Sequence, residues 1–402
     1  MKIFYFGSVC SQDVFNDTVK KSRVKPSASA QSFESALVKG LSGIDGVELT
    51  VASAESIAMY PSGSRLFLKK RKDVLNEGQS ANIIPTVNLP FIKQMGHAKG
   101  AAKLLRKWIK ENKETQEKCV FVYGIYPSVV KSLLKICKKH NCKIFAMITD
   151  VPSTMFTYTQ SKNVLKRMLS GKYRETAVNI QDRFDGYIYL TEAMKDEVAP
   201  RKNYTVVETI ADTDIFNELK DVEKSRPSAV MYAGALYKKY GVDMIVDAFE
   251  RTTSDCELWL FGSGDYEDEI IKRAEKNSRI RFFGRVSREE VLRREKMASL
   301  LLNIRNPDDV YTKYSFPSKM VEYMLSGTPI FTTELEGIPA EYYDHCYHTT
   351  DRSLEAIACQ IDKILSDDQK DSIGKKAEKF VKENKNCDVQ AAKIVRFIGQ
   401  QL

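Results

Sequence analysis

Several features that would assign the sequence to a common class of protein are missing from it. No run of about 18 apolar residues occurs, so no membrane-spanning helix is predicted. The eight cysteines are scattered without a Cys-x-x-Cys pair or a regular framework, which indicates a reducing, intracellular setting and no structural zinc. The apolar run at the amino terminus is too short for a signal peptide and is expected to form a strand.

Histidine is scarce, with four residues among 402. His345 and His348 flank Cys346, but a zinc site needs a fourth ligand, so a polar loop is the simpler interpretation. Asp212 and Asp214 form a pair of carboxylates without a third ligand in their stretch of sequence. We therefore predict neither a bound metal nor a resident cofactor.

What the sequence does contain is a regular alternation of apolar strands and helix-length segments in both halves. This alternation is typical of parallel α/β units, and 402 residues exceed one ordinary domain. We therefore predict an α/β fold of two Rossmann-like domains that face each other across a ligand-binding cleft. The predicted ranges are 1–216 for the first domain, 217–229 for a charged linker, 230–370 for the second domain and 371–402 for a helical tail packing back on the first.

Three predicted strands of the second half end in glycine. Glycine at such a position either lets a ligand approach the backbone or opens a tight turn. Since three successive strands share the feature and cations follow closely, we interpret the edge as a rim for a nucleotide diphosphate. The residues of this predicted rim are Gly234, Gly262, Gly264 and Gly284, with Lys238, Lys239 and Arg285 close behind. In GSGDYE, Glu267 replaces the third glycine of a dinucleotide fingerprint, which disfavours a nicotinamide dehydrogenase.

The stretch KYSFPSKMVEYMLSGTPI, residues 313–330, predicts a short helix from Pro317 to Ser326. The free amides at its amino terminus, its dipole and the Lys319 ammonium converge on one point, where an anion would bind. Glu322, one turn further, is placed to accept hydrogen bonds from hydroxyl groups. A ligand with a phosphate beside a diol fits both features, whereas a surface helix with a Lys319–Glu322 ion pair is the simpler alternative.

Positive charge is concentrated in the first half of the sequence. Residues 1–200 contain 31 Lys and Arg against 18 Asp and Glu, whereas residues 201–402 contain 31 against 35. Residues 97–113 form a basic amphipathic helix, predicted either to pack on its sheet with a solvated basic face or to dock on an anionic bilayer. The neighbouring LFLKKRKD and KKHNCK would extend a basic patch. Nucleic acid is not expected as a partner, because no nucleic-acid-binding motif accompanies the charge.

With these features the chain resembles the retaining glycosyltransferases of family 4, which have the GT-B fold. YAGALYKKYGVDMIVDAF is similar to the first strand, loop and helix of the family's donor domain, and EYMLSGTPIFTT to its hallmark helix and following strand. TIADTDIF is similar to the segment that enters the interdomain linker. The resemblance is strongest over residues 228–345.

The resemblance implies that the second domain binds a nucleotide-sugar donor, most simply a UDP-sugar, and the first binds the acceptor. Glu322 would bind the ribose hydroxyls, the amides from Phe316 to Lys319 the diphosphate, and residues 284–286 the base. Tyr314 replaces the first of the family's two glutamates, which lie eight residues apart. The implied donor-binding residues are Gly234, Lys238, Gly262, Gly264, Gly284, Arg285, Val286, Tyr314, Phe316, Pro317 and Ser318, and the implied catalytic residues are Asp150, Lys239, Lys319 and Glu322.

The expected activity is therefore metal-independent transfer of a hexosyl-type sugar, with retention of configuration, to a glycan acceptor in polysaccharide biosynthesis. The acceptor is expected to be linked to a polyprenyl diphosphate, and the enzyme to be cytoplasmic and peripheral on the inner membrane face through its basic first domain. Two alternatives stay open: a nucleotide-sugar epimerase, and a non-catalytic partner protein that keeps the GT-B fold.

Overall fold

Two α/β units make up the chain in the computed structural model, which describes residues 1–76, 78–154, 164–219 and 222–402. The first unit contains Met1–Ile210 together with Cys387–Leu402, and the second contains Ala211–Asn386. No helix in the described ranges is long and apolar enough to cross a bilayer.

The first unit is built on an eight-stranded sheet in the order β10-β9-β8-β7-β1-β2-β5-β4, with a separate two-stranded β3-β6 ribbon. All neighbours in the large sheet run parallel except β4 and β5. The central strands read as continuous apolar runs because both faces of a parallel sheet are buried. The strands are β1 Lys2–Gly7, β2 Glu48–Ser53, β3 Phe67–Leu68, β4 Arg71–Asn76, β5 Gln79–Ile83, β6 Thr86–Val87, β7 Lys118–Tyr123, β8 Lys143–Ile148, β9 Gly186–Tyr189 and β10 Tyr204–Val206.

Helices cover this sheet, and two of them begin at serine side chains that accept a backbone N–H, as helix caps do. The helices are α1 Gln12–Lys21, α2 Ala28–Gly43, α3 Ile92–Glu111, α4 Pro127–Lys139, α5 Val164–Val178 and α6 Met194–Val198. The predicted basic helix corresponds to α3, which begins five residues earlier and ends two residues earlier, and its apolar side chains Ala101, Leu105, Trp108 and Ile109 are buried. The apolar face of this helix therefore packs inside the first unit, and it is not available to a bilayer.

The second unit is built on a six-stranded, all-parallel sheet in the order β13-β12-β11-β14-β15-β16. In chain order this is 3-2-1-4-5-6, the strand order of dinucleotide-binding Rossmann sheets. The strands are β11 Ser228–Ala235, β12 Cys256–Ser263, β13 Ile280–Gly284, β14 Leu300–Asn303, β15 Ile330–Thr333 and β16 Tyr347–Thr349. The helices are α7 Val242–Phe249, α8 Glu267–Lys276, α9 Arg288–Met297, α10 Val310–Lys313, α11 Ser318–Leu325, α12 Leu354–Ser366 and α13 Lys370–Asn384, with 3-10 helices at Thr213–Phe216, Lys238–Tyr240 and Ala340–His345.

The predicted fold class is confirmed, and the predicted alternation of apolar strands and helices is present in both halves. The divisions between the units differ from the predicted ranges. The chain passes between units at Ile210/Ala211 and at Asn386/Cys387. Part of the predicted linker packs on the second unit, because the Lys224 ammonium donates to the Ala298 carbonyl at 2.8 Å; residues 220–221 of that linker lie outside the described residues.

The predicted tail belongs to both units. Its first helix, α13, packs on α11 and places Ala377, Phe380 and Val381 in the core of the second unit. Its second helix, α14 Cys387–Gly399, packs on α2 and contributes Ala391 and Ile394 to the core of the first unit. The roles of acceptor and donor domain assigned to the two ranges stay predictions.

Candidate active site

The carboxyl ends of the strands in the second unit meet at one edge of its sheet, and most of the predicted donor residues lie there. The strand order reverses between β11 and β14. In open α/β sheets, ligands bind in the crevice at such a switch point, where the loops on its two sides diverge. Here the crevice is bordered by the loop after β11, residues 236–241, and the segment after β14, residues 304–309.

Two of the predicted glycines serve the packing of neighbouring loops. A Cβ at Gly262, where φ is 125°, would lie 1.8 Å from the carbonyl oxygen of Gly234, and one at Gly264 would lie 2.2 Å from that of Leu236. Leu236 also donates its N–H to the carbonyl of Ser263 at 3.0 Å. Backbone contact between the ends of β11 and β12 and the residues that follow them therefore accounts for these glycines without any ligand.

Gly284, at the end of β13, differs from them. Its φ is 63°, but the nearest atom to an added Cβ would be 3.9 Å away. The following Arg285 and Val286 are exposed, and the Arg285 Nε donates to the Ser263 hydroxyl. The predicted base-binding segment is therefore an open edge that carries one cation.

Lys238 and Lys239 lie on the 3-10 helix that follows β11, and both side chains are packed on aromatic rings. The ammonium of Lys239 lies 4.9 Å from the centre of the Tyr240 ring, and that of Lys238 lies 5.4 Å from the centre of the Tyr266 ring. The Tyr311 hydroxyl donates to the carbonyl of Lys239, so a hydrogen bond links the two sides of the switch point. The predicted cations are thus held beside the crevice by ring contacts.

The helix α11 begins one residue later than predicted, with Pro317 as its cap, and its end at Leu325 agrees to within one residue. Its buried face contains Met320, Val321, Tyr323, Met324 and Leu325. The fully buried Tyr323 hydroxyl accepts the N–H of Ala233 at 2.8 Å and donates to the carbonyl of Ala233 at 3.2 Å. This pair of bonds fixes the helix against the end of β11, beside the switch point.

Three ionisable side chains meet on the opposite face of α11. The Lys319 ammonium pairs with Glu322 and, at 3.3 Å, with Glu295 of α9, whose side chain is 0% exposed. Arg288, at the start of α9, lies 3.8 Å from the second oxygen of Glu322. The Lys319–Glu322 pair expected of a plain surface helix is present, but a second, buried carboxyl and a nearby arginine make it a network.

Burial and the neighbouring Glu322 carboxylate raise the pKa of Glu295 well above its usual range. Burial opposes ionisation of Glu322 as well, but the adjacent Lys319 ammonium outweighs it and lowers the pKa of Glu322. For Lys319, burial is outweighed by the two carboxyls, which raise its pKa. These shifts favour a charged Lys319 and a charged Glu322 beside a Glu295 that keeps its proton to a higher pH than an exposed glutamate does.

The residues before α11 divide into core and surface. Phe316 and Pro317 are buried, and the Phe316 ring lies 5.1 Å from that of Tyr342, so Phe316 would reach a ligand through its backbone. Ser318 is exposed at the first helical position. Tyr314 is half-buried at the end of α10, with the Lys313 ammonium 5.8 Å from its ring.

Asp150 follows β8 in the first unit, and it is the one predicted site residue there. It is exposed and accepts a hydrogen bond from Thr149 at 3.3 Å. At the switch point of this sheet, between β1 and β7, the fully buried Glu34 accepts the Ser8 N–H at 2.6 Å and the Ser8 hydroxyl at 2.8 Å. Position 7 requires glycine, because the Cβ of any other residue would lie 1.7 Å from the Glu34 carboxylate.

Sequence reasoning missed four residues that shape the two edges: Tyr323, Glu295, Arg305 and Glu34. Arg305 follows β14 directly, and its guanidinium lies 5.3 Å from the centre of the Tyr240 ring. Its position after a strand at the switch point was the available signal. Glu295 and Glu34 carried no such signal, since both occur in helices with several other polar residues.

The histidine and aspartate motifs weighed as metal sites have other contacts. His348 pairs with Glu334 at 2.7 Å, and the His345 ring stacks on Phe380 with centres 4.3 Å apart. Asp212 caps the 3-10 helix that follows it by accepting the Asp214 N–H at 3.4 Å. In the described residues, no group of three or more His, Cys, Asp or Glu side chains is arranged to hold a metal.

Residues 214–386 match the family model of glycosyl transferases group 1, which covers all but the first three residues of the second unit. Solved structures resemble the whole chain. HepE from Anabaena, determined with UDP, is 13% identical with a TM-score of 0.61 over 100% of both chains. The chain has the GT-B fold.

Two further GT-B structures extend the comparison. Sucrose-phosphate synthase from Thermosynechococcus elongatus is 12% identical with a TM-score of 0.63, over 100% of this chain and 99% of that one. The lipopolysaccharide outer core galactosyltransferase WaaB is 14% identical with a TM-score of 0.61 over 100% of both chains. No curated protein matches the sequence. All donor-site residues named above lie inside the range matched by the family model, whereas Asp150 lies outside it.

Proposed function

We propose that the protein is a glycosyltransferase that moves a sugar from a nucleotide diphosphate donor to a glycan acceptor. The observation that carries the proposal is α11, which Tyr323 fixes at the switch point with Lys319 and Glu322 on its open side. The match of this unit to group 1 glycosyl transferases supports it. Because structures of HepE contain UDP and UDP-glucose, UDP is the nucleotide to test first.

In the proposed mechanism the second unit stabilises the departing diphosphate. Breaking the bond between sugar and diphosphate places negative charge on the leaving group and positive charge on the sugar, so fixed amides and cations at the diphosphate lower the barrier most. The amides at the start of α11, around Ser318 and Lys319, supply the positive end of a helix dipole. Lys238, Lys239 and Arg285 add charge from the loops after β11 and β13.

Glu322 is proposed to accept hydrogen bonds from the ribose hydroxyls. Its carboxylate stays ionised because Lys319 lowers its pKa, and its side chain is 18% exposed, so part of it faces solvent. An ionised carboxylate would repel the diphosphate, so we place the diphosphate at the amides that begin α11 and the ribose at Glu322, one turn further along the helix. We propose that this transfer needs no metal and retains the configuration at the sugar carbon.

The acceptor side of the proposal rests on the first unit. Asp150, at the carboxyl end of β8, is proposed to lie near the acceptor hydroxyl and to accept its proton. We propose a hexosyl sugar as the transferred group and a glycan on a polyprenyl diphosphate as the acceptor, in polysaccharide biosynthesis. The enzyme would then work in the cytoplasm, peripheral on the inner membrane face.

Thermal unfolding with UDP, GDP and dTDP tests the donor site. A nucleotide at 100 times its dissociation constant would stabilise the protein by about 2.7 kcal/mol. The shift should disappear in Glu322→Ala and persist in Glu275→Ala, which removes an exposed carboxylate of α8 in the same unit. If no nucleotide shifts the transition, or if Glu322→Ala shifts as far as the wild type, the assignment of the donor site is wrong.

Tyr314 favours a second candidate, a non-catalytic partner protein. It occupies the position where the resembled family has a glutamate, and its hydroxyl cannot carry a full negative charge at neutral pH. Nucleotide binding without sugar transfer to any of a panel of glycan acceptors would favour this candidate. Interconversion of the donor sugar without an acceptor would instead indicate the epimerase.

A further inference from the structure

The first unit exposes apolar side chains in one region of the chain. Phe67 is 64% exposed and Phe91 is 59% exposed, which is unusual for large aromatic side chains. They lie on or beside the β3-β6 ribbon and the first turn of α3. The exposed residues of this cluster, called here the apolar tip, are Met59, Tyr60, Phe67, Phe91, Ile92 and Met95.

Hydrogen bonds hold the segments of the apolar tip together. Tyr60 donates its N–H to the carbonyl of Asn88 at 3.0 Å, and the Asn88 side chain donates to Ala58 and Arg65 carbonyls at 2.8 Å each. Phe67 pairs with Val87 across the ribbon. Gly96 of α3 approaches β6 so closely that a Cβ would lie 2.0 Å from the Thr86 hydroxyl. The tip is therefore one structural element, although its residues span nearly forty positions of sequence.

Phe91 is presented by a strained backbone. Its φ is 63° and its ψ is −44°, and the Ile92 N–H donates to the Pro90 carbonyl at 2.7 Å, which makes it the centre of a γ-turn of the rare, strained kind. Such a conformation of a bulky residue persists where the surrounding structure imposes it, and it is concentrated at functional positions. Here the turn directs the phenyl ring of Phe91 into solvent, although burying that ring would stabilise the fold.

The tip lies in a strongly basic part of the chain. Residues 56–110 contain 11 Lys and Arg against two Asp and Glu, an excess equal to the net charge of +9 of the whole protein. Of the two acids, Asp73 is buried and accepts the Ser11 N–H, and Glu77 lies outside the described residues. Lys69 and Lys70, directly after β3, are both exposed. Exposed positive charge therefore lies directly beside Phe67 in the sequence, although Asp13 and Asp17 also lie near Phe67, and Arg65 and Arg71 are paired with Glu55.

The geometry points to an anionic lipid bilayer as the occupant of the apolar tip. Aromatic and aliphatic side chains beside lysines are what an interfacial membrane contact requires, since the former enter the headgroup boundary and the latter attract anionic lipid. A protein partner would need matching acidic groups and a shaped apolar pocket. The inference rests on the proposed function and deepens it, because a lipid-linked acceptor would be reached at this surface. The apolar tip takes the place of the apolar face of α3, which is buried, as the proposed bilayer contact.

Co-sedimentation with vesicles tests the inference on the full chain. The vesicles contain equal parts of phosphatidylcholine and phosphatidylglycerol, with pure phosphatidylcholine as the neutral comparison. The double variant Phe67→Ser/Phe91→Ser should lose about tenfold or more of its partitioning to the anionic vesicles. Ile271→Ser, which removes an exposed apolar side chain of the second unit, should bind as the wild type does.

Charge is tested with a matched pair of variants. Lys69→Gln/Lys70→Gln should weaken partitioning by about fivefold per lysine, whereas Lys375→Gln/Lys376→Gln, two adjacent exposed lysines of α13, should not. Because all these side chains are exposed, unchanged thermal unfolding and an unchanged UDP shift should accompany the loss of lipid binding. A nucleotide shift without lipid binding would overturn the docking surface and leave the proposed function standing.

Other outcomes would also overturn the inference. Equal binding of wild type and Phe67→Ser/Phe91→Ser to anionic vesicles would show that the tip is not the contact. A wild-type dimer in solution that the same variant dissociates would assign the tip to a second copy of the chain. Lipid binding without any nucleotide shift would leave the docking surface standing and remove the proposed function.

Discussion

Replacing Glu295 by glutamine should stabilise the second unit, and the gain should grow as the pH rises. Glu295 is fully buried between Lys319 and Glu322, and its pKa is raised mainly by burial. In the unfolded chain the same carboxyl ionises near its ordinary pKa of 4.5. Above that pH the folded protein therefore holds a proton that the unfolded chain has released, and folding becomes less favourable as the pH rises.

The magnitude follows from this difference of one proton. While Glu295 stays protonated in the fold, its free-energy contribution falls by about 1.4 kcal/mol for every pH unit above the unfolded pKa. Glutamine cannot ionise, yet its amide oxygen can accept from Lys319 and its amide N–H can donate to Glu322. The free energy of unfolding of Glu295→Gln should therefore exceed that of the wild type by an amount that increases by about 1.4 kcal/mol per pH unit above pH 4.5. Glu322 does not contribute to this pH dependence. Because its pKa is lowered in the folded protein, its effect on the free energy of unfolding changes only below pH 4.5.

Urea unfolding at a series of pH values measures this increase. The two tryptophans lie in different units, so a Trp108→Phe background leaves Trp259, on β12, as the single fluorescent probe of the second unit. Glu289→Gln removes an exposed carboxylate of the same helix, α9, and controls for the loss of charge alone. If Glu295→Gln and the wild type give parallel curves of stability against pH, Glu295 is ionised in the folded protein and the description of the network is wrong.

Further predictions concern the backbone around the switch point. Tyr323→Phe should lower the free energy of unfolding by about 1–3 kcal/mol, because both Ala233 backbone groups lose their partner, and it should weaken the UDP-induced thermal shift if α11 is the donor site. Gly262→Ala should cost about 3 kcal/mol or more by urea unfolding, because its Cβ would strike the carbonyl of Gly234. Gly284→Ala, also at a positive φ but with open space around the Cβ, should cost only about 1–2 kcal/mol; equal losses in the two glycine variants would refute the distinction.

The fold was predictable because its central strands are buried on both faces. Runs such as KIFYF and AVMYAG are long, apolar and regularly spaced, and parallel sheets produce this pattern. The shorter elements carried less signal. The strands β3 and β6 contain two residues each, and β4 and β5 are interrupted by polar residues, so no apolar run marks them. The ribbon that carries the apolar tip was therefore missed, and the more conspicuous basic helix in α3 was the segment considered for a bilayer contact.

In the candidate site, too, contacts within one helix were predictable and contacts between helices were not. Lys319 and Glu322 were predictable as a pair because helical spacing places residues three apart on one face. Their third partner was not, because Glu295 is 24 residues away from Lys319 and lies in the helix REEVLRREKM, which contains five other glutamates and arginines. Which of those carboxyls is buried depends on where α9 crosses α11, and no local pattern records that crossing.

Glu295, which the sequence did not reveal, changes the interpretation of Glu322. With the pair alone, Glu322 is a surface carboxylate whose charge salt would screen. With Glu295 beneath it, the same carboxylate has a neutral, proton-bearing group on one side and Lys319 on the other, so its position is fixed before any ligand arrives. A fixed acceptor discriminates between a diol and a second phosphate at no cost in reorganisation, which is the property that a binding site for a nucleotide diphosphate needs.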